Sequence, residues 1–210
     1  SYALRLPDEI TLGAAMDVID PDSLHEAREL CVRAIATALR PRLEQLYQTL
    51  KDGAPYQPEA AAIGKRRMRN LCLGYLCALE EESTTSLAEA QYQTATNMTD
   101  KMAAVVCLTA YDVPARRRVL DDFYSTYQEE ALVVDKWLMV QASSPGTKTL
   151  QDVIGLLNHP AFDIKNPNKV RSLIRTFSGN QLIFHQADGA GYRFVADQVI
   201  ALDAINPQIA

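Results

Sequence analysis

Few residues of this 210-residue chain could carry chemistry, and two cations in the stretch Asn166-Pro167-Asn168-Lys169-Val170-Arg171 stand out among them. Asn166 before Pro167 marks a helix start. An Asn side chain caps an orphan backbone N–H, and proline presets φ at the first helical position. Lys169 and Arg171 therefore fall at the front of a helix, where the macrodipole disfavours positive charge by a few tenths to about 1 kcal/mol. Cations set against the local field need a partner, and a carboxylate is the partner that an ammonium or a guanidinium fits.

The other candidate constellations fail on spacing. His25-Glu26-Ala27-Arg28-Glu29 begins like HExxH but has Glu29 where the second zinc-binding histidine belongs. It cannot form a catalytic zinc site and reads as solvated helix surface. His159 and His185 lack acids at ligand spacing. Cys31, Cys72, Cys77 and Cys107 lie inside apolar helical patterns, and Cys72 and Cys77 match no CxxC spacing. They read as buried, reduced thiols acting as small hydrophobes, which fits a cytoplasmic protein. There is no GxSxG, P-loop or GxGxxG; Gly189-Ala190-Gly191 reads as a turn. Lys65-Arg66-Arg67 with Arg69, and Arg116-Arg117-Arg118, are basic clusters in a chain of net charge −5. They are expected on solvated or salt-bridged faces, and the acidic balance argues against nucleic-acid binding. Asn97-Met98-Thr99 matches the glycosylation acceptor pattern, but with no secretion signal it reads as a helix cap. The residues offer no catalytic set and no metal ligands.

The elements that must hold these residues are helices. Hydrophobic residues make up 48% of the chain and charged residues 22%, the balance of a globular protein with a real core. No apolar run approaches the ~20 residues that span a bilayer. Residues 1–15 differ from the rest: Tyr2, Leu4 and Leu6 alternate with Ala3 and Arg5 up to Pro7, as in a short strand or a linker from a preceding domain. Residues 16–210 read as one helical-repeat domain. Asp20-Pro21 opens a long helix with the stripe Leu24, Ala27, Leu30, Cys31, Ala34, Ile35 and Ala38, interrupted or kinked at Pro41. Further helices are expected at about 58–79, 84–95, 99–111, 114–128, 130–142, 148–158, 167–177 and 191–205. Gly64 and Gly74 read as points where helices pack closely. Val170, Leu173, Ile174 and Phe177 form one stripe, with Gly179 expected to end that helix in a left-handed C-cap. Tyr92, Tyr111, Tyr124, Tyr127 and Trp137 take core-like spacing. Short connections force neighbours to pack antiparallel, so the fold class is all-α: stacked antiparallel helical pairs in a HEAT or armadillo-like superhelix. Asn206-Pro207 is a third helix-start signal with three residues after it. Since one turn of helix is not stable alone, further helices are expected beyond Ala210.

The literal words carry a resemblance. NPNKVRSLI, FH-ADG-GYRF-ADQV, NPQIA, Asn97-Met98-Thr99-Asp100, Val134-Asp135-Lys136-Trp137 and His159-Pro160-Ala161-Phe162-Asp163 follow one another along nearly the whole chain. Together they resemble the C-terminal helical domain of bacterial aminopeptidase N, of the thermolysin-like zinc peptidases. That resemblance implies a parent hydrolase with zinc in a separate catalytic domain. HExxH and GxMEN are absent here, so no catalytic residue carries over and the fragment is expected to be inactive alone. It also implies a capping role: closing the chamber over the active site and gating short peptides, with the catalytic domain as partner. Arg171 matches a family arginine that faces the chamber and is the substrate-binding candidate; Lys169 points to a different face. A free-standing helical scaffold that binds protein partners is the alternative.

Overall fold

The computed structural model describes residues 4–51 and 56–209, and the regular structure among them is helical. The helices are α1 Glu9–Gly13, α2 Pro21–Thr49, α3 Ala60–Cys77, α4 Glu82–Thr94, α5 Met98–Ala110, α6 Ala115–Tyr127, α7 Ala131–Ala142 and α8 Thr149–Leu156. Then follow α9 Pro167–Val170, a π-helical turn Arg171–Arg175, α10 Thr176–Ser178, α11 Gln181–Phe184 and α12 Ala190–Asp203. The strand-like reading falls partly on residues 1–3, outside the described residues. Leu4 lies in a 3₁₀ turn, and residues 5–8 carry no regular structure before α1. The described residues group into two compact units, one up to Arg116 and one from Arg117.

In the first unit, α2 packs on α3, α3 on α4 and α5, and α4 on α5, so successive helices are neighbours as the short connections require. Asp20 caps α2, accepting from the Ser23 N–H at 3.1 Å, with Pro21 at the first position. The helix runs through Pro41 as one 29-residue element rather than stopping there. Asn97 caps α5 through the Asp100 N–H at 2.9 Å. Leu43, Cys72, Leu73, Leu76, Tyr92, Val105 and Leu108 fill the core. Gly64 and Gly74 are not close-packing points: a methyl at either would meet nothing within 4 Å. Cys31 is exposed and Cys107 partly so, whereas Cys72 and Cys77 are buried; all four are free thiols. A hydrogen bond with Cys77 and burial both push the Cys107 thiol well up, away from the thiolate.

In the second unit, α7 packs on α8, α9 and the π turn, and α11 on α12. Val170, Leu173, Ile174 and Phe177 are all buried, as the stripe predicts. Gly179 is not left-handed, with φ −85°. The left-handed glycine is Gly189, at φ 69°, where α12 begins. Asn206 makes a turn rather than a helix, its side chain accepting from the Gln208 N–H at 3.1 Å. Ile209 beyond it packs on the cluster of Val170, Ile174 and Leu202.

Candidate functional site

The second unit brings together words that are scattered in the sequence. Asn166 accepts from the Asn168 N–H at 3.0 Å and Pro167 opens α9, so the first turn forms as the Asn-Pro pair dictates. Val170 then buries against Phe162 and Ile164, tying this turn to the segment that follows His159. Lys169 reaches α7, where its Nζ donates to Asp135 Oδ1 at 2.7 Å and to the Ala131 carbonyl at 3.1 Å. Both side chains of this ion pair are largely buried, at 11% and 14% exposure, where a charge without a partner would be costly. The cation that opposes the helix field therefore has its carboxylate, two helices away.

Trp137, two residues along α7 from Asp135, donates its Nε1–H to the Leu120 carbonyl of α6 at 2.9 Å. Its ring meets Tyr124 and His159 with centroids 4.8 and 5.1 Å apart, and Tyr124 meets His159 edge-on at 4.6 Å. His159 Nδ1 accepts from the Ala161 N–H at 3.1 Å. Burial holds this imidazole below its usual range, against a weaker pull from Asp121. The three aromatic rings pack on one another and brace α6, α7 and the His159 turn.

Arg171 differs from Lys169. It is exposed and opens the π turn, with Ser172, Leu173 and Ile174 buried behind it. The Thr176 N–H and hydroxyl both bond to the Arg171 carbonyl, the hydroxyl at 3.2 Å. No hydrogen bond or ion pair among the described residues engages the Arg171 guanidinium. Such π turns recur at functional sites because the extra residue re-aims side chains.

Beyond the π turn, Phe177 packs edge-on against Phe184 and Phe194, with centroids 6.3 and 5.3 Å away. His185 Nδ1 and the Tyr192 hydroxyl lie 2.5 Å apart on the surface. Gly191 is forced by contact: a methyl there would lie 2.4 Å from the Phe184 carbonyl oxygen. The FH-ADG-GYRF word is thus a packing device for α11 and α12.

The first unit holds features that helical periodicity did not single out. Arg69, read with the basic cluster, is buried at 7% and not solvated. It pairs with Asp100 at 3.6 Å, donates to the Tyr47 hydroxyl at 3.1 Å and lies 4.6 Å over that ring. Asp100 also accepts from Asn70 at 2.8 Å and Asn97 at 3.0 Å, while Gln91 donates to Asn70 at 2.8 Å. His25 is not free surface either: it bonds Glu9 of α1 at 2.7 Å, and this hydrogen bond raises its pKa despite opposing burial. A groove of about 680 Å³ on α3 and α5 is lined by Arg5, Tyr56, Ile63, Arg66 and Met102 among others. Among the described residues no three His, Cys, Asp or Glu side chains converge as metal ligands would. No described helix is long and apolar enough to cross a membrane.

Paired helices packed in succession define an all-α helical-repeat domain of the armadillo type. The family described as "Domain of unknown function (DUF3458_C) ARM repeats" matches residues 1–210, and the chain belongs to it. The aminopeptidase N of Escherichia coli (strain K12) is 37% identical over 208 residues, covering 99% of this chain and 24% of its own length. Those of Caulobacter vibrioides and Haemophilus influenzae are 35% and 36% identical, with the same coverage. The crystal structure of Legionella pneumophila aminopeptidase A in complex with aspartic acid matches with a TM-score of 0.89 at 29% identity. That match covers 98% of this chain and 25% of the Legionella chain. The resemblance to the C-terminal helical domain of aminopeptidase N is borne out, and the chain spans about a quarter of the length of its curated relatives.

Proposed function

We propose that this chain is the capping domain of a zinc aminopeptidase that removes N-terminal residues from peptides. It closes the chamber over the active site of a separate catalytic domain and gates the entry of short peptides, without catalysing the reaction itself. The zinc and its ligands belong to that catalytic domain; the parent's cofactor supplies Lewis acidity and an activated water there. The free thiols fit a reducing, cytoplasmic setting. The observation that carries this reading is Arg171: an exposed guanidinium with no partner among the described residues, on a helix whose neighbouring cation is pinned to α7. Such a group is poised to pair with a peptide's C-terminal carboxylate or its carbonyls. A charge-assisted hydrogen bond is worth ~1.5–3 kcal/mol. In the parent enzyme, Arg171→Ala should therefore lower kcat/KM for di- and tripeptides, relative to a chromogenic alanyl amide without a carboxylate, by roughly ten- to a hundredfold. The loss should come mainly through KM. Equal losses on both substrate classes would make Arg171 a structural residue and remove this reading of it.

A further inference from the structure

We propose that Arg175 joins Arg171 in a two-guanidinium clamp that favours peptides bearing an acidic side chain in addition to their C-terminal carboxylate. The proposal rests on the reading of Arg171 as a peptide-facing residue and extends it to a second residue and a substrate class. The π turn begins at Arg171 and ends at Arg175. Ser172, Leu173 and Ile174 between them are all buried, at 6%, 0% and 5%, whereas both arginines are exposed. Bonding from i to i+5 implies about 4.4 residues per turn, so two residues four apart return to within roughly 35° of one another. The arginines therefore share the outer face, and the apolar residues between them face inward.

Neither guanidinium has a hydrogen-bond or ion-pair partner among the described residues. Asp135 on the neighbouring α7 is occupied by Lys169 and largely buried. The Arg175 backbone carbonyl is engaged by the Ser178 hydroxyl at 2.9 Å, and that of Arg171 by Thr176. The backbone beneath both arginines is thus held while their side chains stay available. Two like charges on one face repel each other, and a single anion binding between them removes that repulsion. A neutral peptide offers only its terminal carboxylate to this pair. A peptide with an aspartate or glutamate offers a second, and planar guanidinium forks suit both.

The test compares Ala-Ala-Glu with Ala-Ala-Ala in the intact parent aminopeptidase, for the wild type and for Arg175→Gln, Arg175→Lys and Arg171→Gln. The wild type should prefer Ala-Ala-Glu. Arg175→Gln should lower the ratio of kcat/KM values, glutamyl peptide over alanyl peptide, by about tenfold through KM, and Arg175→Lys should restore part of it. Added salt should shrink the wild-type preference, because exposed charges are screened. Equal losses on the two peptides, or no loss on either with Arg175→Gln, would overturn the clamp. If Arg171→Gln weakens both peptides while Arg175→Gln leaves their ratio unchanged, the clamp falls and the role of Arg171 stands. If neither variant alters peptide kinetics, both fall.

Discussion

At the scale of single residues, environment separates side chains that look alike in the sequence. Lys169 and Arg171 are both cations at one helix start, yet the first is tied into Asp135 and the second has no partner among the described residues. The histidines diverge in the same way. The Glu9 hydrogen bond raises the pKa of His25, with Glu29 acting in the same direction and burial and Arg28 opposing. A folded-state pKa above the unfolded value of about 6.5 means stabilisation present below that pH and lost as pH rises through the folded pKa. His159 is the reverse: burial lowers its pKa, so its contribution is present above pH ~6.5 and lost as pH falls through the folded pKa. Thermal unfolding from pH 5 to 8.5 checks both. The midpoint difference between wild type and His25→Gln should be largest at acid pH and shrink as pH rises. That between wild type and His159→Gln should shrink as pH falls.

At the scale of elements, the junction of α11 and α12 shows how one contact dictates a residue. Gly189 supplies the left-handed turn, and Gly191 lets α12 run against the Phe184 backbone. An added methyl would also come within 2.9 Å of the Phe184 Cα, and neither that atom nor the carbonyl can swing aside as a flexible side chain would. Gly191→Ala should therefore destabilise the fold by about 1–3 kcal/mol, the usual scale of overpacking. The measurement is a urea titration: a lower midpoint with an unchanged slope is expected, and an unchanged midpoint would mean the helices separate at no cost.

At the scale of the whole chain, distant segments are tied by buried polar groups as well as by apolar surface. Tyr47 of α2, Arg69 and Asn70 of α3, Gln91 of α4 and Asp100 of α5 form one hydrogen-bonded network. The side chains of Arg69 and Asp100 are 8% and 11% exposed, so removing one partner leaves the other charge out of water. Asp100→Ala should cost about 3–5 kcal/mol, the scale for a broken buried pair. Hydrogen exchange should quicken across α2 to α5; quickening confined to the α5 cap would show that Asp100 serves only its own helix. The chain as a whole carries net charge −5 and spans about a quarter of its aminopeptidase relatives.

The sequence alone determined the long helices, because each is set by local rules: a cap, a proline, an apolar stripe, a short connection; the short α1 fell where a strand or linker was expected, and α11 was not expected. It located α2, α5 and the turn at Pro167, and its literal words carried the aminopeptidase resemblance. Through that resemblance it offered Arg171 as the candidate substrate-binding residue. What it could not show were contacts between residues far apart in the chain. The Asp135 that answers Lys169 lies 34 residues away, the Glu9 that holds His25 lies 16 away, and the Asp100 that pairs with Arg69 sits two helices on. Periodicity also missed the π turn and so the shared face of Arg171 and Arg175, because one extra residue in a turn leaves the apolar stripe intact. Helices follow from neighbours in sequence; partners of buried charges follow only from neighbours in space. Only the tertiary structure decided which cations are paired and which have no partner among the described residues.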